Sequence, residues 1–93
     1  MIHSLAGGSI KDIAYNDFAK VQLTSGENAG KWFWYISEIK DLAVGDRVVV
    51  PISLQNTRQT GVVLQIVRQV SAYNSPVPTK RAKKIISKVA QQI

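Results

Sequence analysis

The 93 residues leave room for one domain, and an apolar fraction of 45% is that of a globular chain rather than a disordered one. The absence of cysteine excludes disulfides and cysteine-ligated zinc, and a single histidine, His3, argues against histidine catalysis and multi-histidine metal sites. The net charge of +6 is segregated: residues 1–46 hold four lysines and all six acids, whereas residues 47–93 hold eight basic residues and no acid.

In chain order, "MIHSLAGGSI" has neither the basic start nor the apolar core of a signal peptide. No apolar stretch approaches the roughly 20 residues that span a bilayer, so no membrane partner and a cytoplasmic location are expected. Residues 1–9 read as a flexible lead-in, and residues 10–93 as one β-barrel domain. "DFAKVQLT", 17–24, settles into alternation, with Val21 and Leu23 facing one way and Lys20, Gln22 and Thr24 the other, which predicts a half-buried strand. "SGENAG", 25–30, is a turn, and "KWFWYIS", 31–37, completes a hairpin with a loop longer than two residues. Residues 38–46 connect, with room for one helical turn, and end at Gly45-Asp46. A strand follows over Arg47–Ile52, with Pro51 near its end, where a missing N–H does least harm.

Residues 53–60 read as a polar hairpin loop. Residues 61–70 read as the longest strand, with burial on both sides in places over Val62–Leu64. "SAYNSPVPTKR", 71–81, is an extended linker. In the last segment Ala82, Ile85, Ile86, Val89 and Ile93 fit a helix, yet the β-branched Ile85-Ile86 pair suits a strand; a short strand over 84–89 that closes a barrel is the preferred reading. The predicted fold is thus all-β: a small five-stranded SH3-like barrel, with a short C-terminal helix as the alternative. Its predicted core is Val21, Leu23, Val48, Val50, Val62, Leu64 and Ile66. Closure hides strand edges that would otherwise invite aggregation.

Two stretches bear on function. Lys31-Trp32-Phe33-Trp34-Tyr35 concentrates four of the seven aromatic residues. On a strand, Phe33 and Tyr35 share one face, and Trp32, Trp34 and Ile36 the other, so one face is core and the other either displays large rings or is covered. Exposed rings beside cations stack bases, each stack being worth roughly 1–3 kcal/mol. The blander alternative is that both faces are buried, as small barrels are rich in aromatics. The second stretch is the basic half: Arg47, Arg58, Arg68, Lys80, Arg81, Lys83, Lys84 and Lys88. A surface that only keeps a protein dissolved mixes its signs, so an acid-free half points to a polyanion. Catalytic templates are absent: there is no P-loop, no G-x-G-x-x-G, and no histidine beside a serine other than the terminal His3. Neither enzymatic activity nor a cofactor or metal is expected.

Taken together, "FWY", "VGDRVVVPIS", "TGVVLQI" and "KKIISKV" resemble, over about residues 18–90, the N-terminal DNA-binding domain of the primosomal replication-restart helicase PriA. That domain carries an aromatic-Asp-Tyr triplet, a G-x-R-V-x-V-P-F-G strand, a G-x-V strand and a Lys-led apolar strand. Barrels of the SH3 and KOW kind share G-D-x-V-x-V followed by G-x-V. The resemblance implies a PriA-like barrel that recognises the 3′ end of a DNA strand through Phe33, Trp34 and Tyr35, then Ser53, then Lys83 or Lys84. Two positions depart from it: the triplet aspartate is Trp34 and the glycine after the P-F strand is Ser53. Both bear on reading a 3′-hydroxyl rather than on fold.

The expected nucleic-acid-binding set is therefore Trp32, Phe33, Trp34, Tyr35, Ser53, Arg58, Lys80, Arg81, Lys83 and Lys84. Single-stranded or branched DNA is the expected partner. The alternative is a protein-interaction barrel that contacts an acidic protein, RNA or a ribosome surface.

Overall fold

The structure, a computed structural model, describes residues 15–89. The predicted lead-in, residues 1–9, lies outside them. Five strands form one sheet: β1 (Tyr15–Leu23), β2 (Trp32–Ser37), β3 (Arg47–Ile52), β4 (Thr57–Ser71) and β5 (Ser87–Lys88). Their order is β2-β1-β4-β3-β5 and every ladder is antiparallel. The protein is all-β, and no helix occurs among the described residues.

Closure differs from expectation. The sheet is not closed by a continuous ladder; the backbone hydrogen bonds that join β2 to β3 run through the C-terminal segment. Ile36 donates to the Lys83 carbonyl at 2.8 Å and accepts from the Ile85 amide at 2.9 Å, an isolated parallel bridge. At the next residue the same segment turns to β3, where Ile86 N–H bonds Val49 O and Val89 N–H bonds Arg47 O, both at 2.8 Å. The strand expected over 84–89 is accordingly only two residues of β5 flanked by single bonds. A segment that must serve two diverging edges cannot lie flat along either one.

Two apolar clusters sit on opposite faces of the sheet. The inner one gathers Ala19, Val21, Leu23, Tyr35, Leu42, Val48, Val50, Val63 and Ile85. The outer one joins Phe18, Ile36 and Val70, with Trp34, Val67, Val77 and Ala82 against them. Phe18 and Ala19, which break alternation in the sequence, are thus both buried, one on each face. Complete burial of a side chain such as that of Phe18 contributes roughly 1.5–3 kcal/mol.

β4 also departs from expectation. It starts at Thr57 rather than Gly61, so the polar "TRQT" is ladder paired with β3 and the hairpin loop shrinks to 53–56. Within the run 62–64 only Val63 is buried; Val62 is half-buried and Leu64 is 40% exposed. A register shift in the β1–β4 ladder, between Lys20 and Val21, then resets the phase and brings Ile66 against the inner core. Gly61 is fixed by contact: a Cβ there would stand 2.5 Å from Val21 Cγ1 and 2.8 Å from Gln22 O. β1 and β4 can approach this closely only across a glycine.

Charged side chains fasten the irregular parts. Asp17 accepts from the Gln69 amide at 2.8 Å, at a second shift where Gln69 has φ 54°, and pairs with Arg68 at 3.4 Å. Arg68 in turn donates to Leu42 O at 2.7 Å, anchoring the β2–β3 connection. That connection contains turns rather than the helical turn allowed for. Its last residue, Asp46, accepts from the Ala43 amide at 2.8 Å and pairs with Lys88 at 3.2 Å.

Candidate nucleic-acid interface

Where the C-terminal bridge ends, the seam between β2 and the end of β3 is open, and a groove of about 350 Å³ fills the gap. Phe33, Trp34 and Tyr35 line one wall, Pro51–Ser53 the other, and Val77, Pro78, Arg81, Ala82 and Lys83 the rim. The strand period explains the wall. Ile36 turns its backbone groups outward to the C-terminal segment, so Trp34, two residues earlier, turns its N–H and C=O to the same free edge.

Tyr35 forms the base of the groove. Its hydroxyl donates to Pro51 O at 3.0 Å, tying β2 to β3 across the seam. Burial pushes its phenol up to about 12, so it is a neutral donor at any ordinary pH. Phe33 faces the same side but is 42% exposed, because β2 outruns the core toward its start. Ser53 adopts φ 63°, the left-handed region that favours glycine, at the position where the resemblance expects a glycine. Its carbonyl accepts from Lys83 Nζ, which ties the hairpin to the linker.

Of the ten expected site residues the groove unites six: Phe33, Trp34, Tyr35, Ser53, Arg81 and Lys83. The other four lie elsewhere. Trp32 projects onto the outer face, 49% exposed, with Lys20 Nζ 4.0 Å from its ring centroid. Arg58 is exposed on β4, opposite Pro51. Lys80 is exposed in the linker, and Lys84 pairs with Glu38 at 3.2 Å. The basic half is thus partly spent on structure, since Arg68, Lys84 and Lys88 all meet acids. The sequence reading missed Val77 and Pro78 because it took residues 71–81 to be an extended linker, and Ala82 because it was read only as part of the last segment. The signal was Val77, an apolar residue amid polar ones, which packs with Ala82 against the outer cluster.

Comparisons with protein-family models, with curated proteins and with solved structures found no match. Among the described residues no cluster of potential metal ligands occurs, and no helix is long and apolar enough to cross a membrane.

Proposed function

We propose that this chain is a non-catalytic, cytoplasmic DNA-binding module for single-stranded or branched DNA, akin in role to the N-terminal domain of PriA. The groove seats a base against the ring of Phe33, with the free backbone edge of Trp34 beside it, while Arg81 and Lys83 meet the phosphates. One observation carries the reading: a groove with an aromatic wall and a two-cation rim has no carboxylate among its lining residues. Aromatic surface next to unopposed cations is what a single strand requires, a face for each base and a positive track for its backbone. The residues the resemblance implies, Phe33, Trp34, Tyr35, Ser53 and Lys83, line this same groove, which supports the reading further.

Titration of a labelled oligonucleotide at several salt concentrations tests it. Affinity is expected to fall log-linearly with salt, with tryptophan fluorescence quenched on binding and both effects weakened by Phe33→Ala and Lys83→Ala. No binding at low salt sinks the proposal in favour of an acidic protein partner. A strict dependence on the 3′-hydroxyl is not expected, because the indole of Trp34 donates but does not accept. Oligonucleotides ending in a 3′-hydroxyl and a 3′-phosphate should bind equally; a tenfold preference for the hydroxyl, about 1.4 kcal/mol, would contradict this.

A further inference from the structure

We propose that the outer face of the sheet is a second strand-binding strip, so that a bound single strand leaves the groove, crosses the edge of β2 at Trp34 and continues over Trp32. The inference rests on the DNA-binding reading of the groove and extends it to the opposite side of β2.

Register builds the strip. Trp32 pairs with Gln22, Gln22 with Val62, and Val62 with Arg47, so these four form one row across β2, β1, β4 and β3. All four point away from the inner core, being neighbours in sequence of the buried Val21, Leu23, Val63 and Val48 or, for Trp32, in phase with Trp34 and Ile36. From edge to edge the row offers a stacking ring, an amide, an apolar side chain and a guanidinium. The Gln22 amide N–H bonds Gly30 O at 3.1 Å, which orients the side chain and leaves its carbonyl oxygen to accept from a base. Lys20, held over the indole by its cation–π contact, puts an ammonium where the next phosphate passes.

Charge favours the same occupant. Of the five acids among the described residues, Asp17, Glu38, Asp41 and Asp46 are paired with Arg68, Lys84 and Lys88. The fifth, Glu27, sits in the β1–β2 turn beyond the row. Lys20 and Arg47 have no acidic partner among the described residues. Trp32 and Trp34 lie two positions apart on one face, about 7 Å along the strand, so one strand can stack on both. Because Trp34 also lines the groove, the two surfaces are continuous through it.

Length dependence separates the strip from the groove. A three-nucleotide oligothymidylate fills the groove alone, whereas a twelve-nucleotide one reaches the outer face. Trp32→Ala is expected to weaken the longer ligand about tenfold, within the range for one lost base stack, and to leave the shorter one unchanged. Arg47→Gln, at an exposed position, should reduce the salt slope for the longer ligand by about 0.7 with no effect on thermal stability. If both variants bind the twelve-nucleotide ligand as the wild type does while Lys83→Ala weakens it, the outer strip is refuted and the groove stands. If neither ligand binds at low salt, both proposals fall.

Discussion

Ser53 shows how a single residue can be legible by type and illegible in consequence. The sequence marks it only as a departure from an expected glycine; the structure gives it φ 63°, with Asn56 at 55° closing the same four-residue turn. Asn tolerates this conformation, and serine bears it at a cost of order 1 kcal/mol. Glycine would remove that strain, although its freer unfolded chain costs about 0.5–1 kcal/mol. The expectation is an ordering: Ser53→Gly leaves stability equal or slightly higher, and Ser53→Val lowers it by about 2 kcal/mol because a β-branched side chain is a genuine outlier there. Denaturant melts of the two variants decide it. A valine tolerated without loss would mean that the turn rearranges freely, and that the Ser53 carbonyl is not fixed for Lys83. Tyr35 is a parallel case. Its aromatic type predicted stacking, but its hydroxyl bond to Pro51 makes it a brace beneath the groove.

At the scale of elements, legibility followed local pattern. "GDRVVVP" announced both its turn and its strand, and Val48 and Val50 are fully buried as alternation requires. β2 was placed within a residue. β4 was not, because its valine run carries no alternation to fix a phase, and the register shift against β1 depends on a neighbour distant in sequence. The C-terminal segment was least readable, since its hydrogen bonds go to two different strands and neither imposes a full period. What holds β5 to the β2–β3 connection is ionic: Lys88 meets Asp46 at 3.2 Å and Asp41 at 3.6 Å. Asp46 is held below the usual aspartate range, first by the Ala43 amide and then by Lys88. Lys88 is raised, chiefly by its bond to Asp46. A lowered acid contributes stability above its unfolded value and loses it as pH falls through the folded one; a raised base contributes below its unfolded value and loses it as pH rises. The clasp is therefore complete between roughly pH 4 and pH 10. Asp46→Asn should be less stable than wild type at pH 7, and the difference should shrink as the pH falls below the usual aspartate range and through the lowered value of Asp46. Thermal melts across that range that stay parallel would show that the clasp contributes nothing.

For the whole molecule, one sheet carries apolar clusters on both faces, and the same C-terminal stretch completes both. Val77 and Ala82 pack against the outer cluster, Ile85 enters the inner one, and the Ile36–Lys84 bridge joins the two edges. An open sheet without that cover exposes Phe18, Ile36 and Val70 on one side and leaves the outer edges of β2 and β3 unpaired, the arrangement that leads to edge-to-edge association. The stretch also carries Arg81 and Lys83, so the rim of the groove and the closure of the fold are one piece of chain. Truncation after Ser71 should consequently abolish cooperative unfolding and yield an aggregating chain, rather than a folded protein that has merely lost the proposed DNA affinity. A milder pair separates the two roles. Ile85→Ala, at a site 7% exposed, should lower stability by about 2–4 kcal/mol and leave affinity per folded molecule intact. Arg81→Ala, at an exposed position, should do the reverse. A truncated protein that still melts cooperatively within a few degrees of the full chain would show that the four-stranded sheet stands alone and that the C-terminal stretch serves only the ligand.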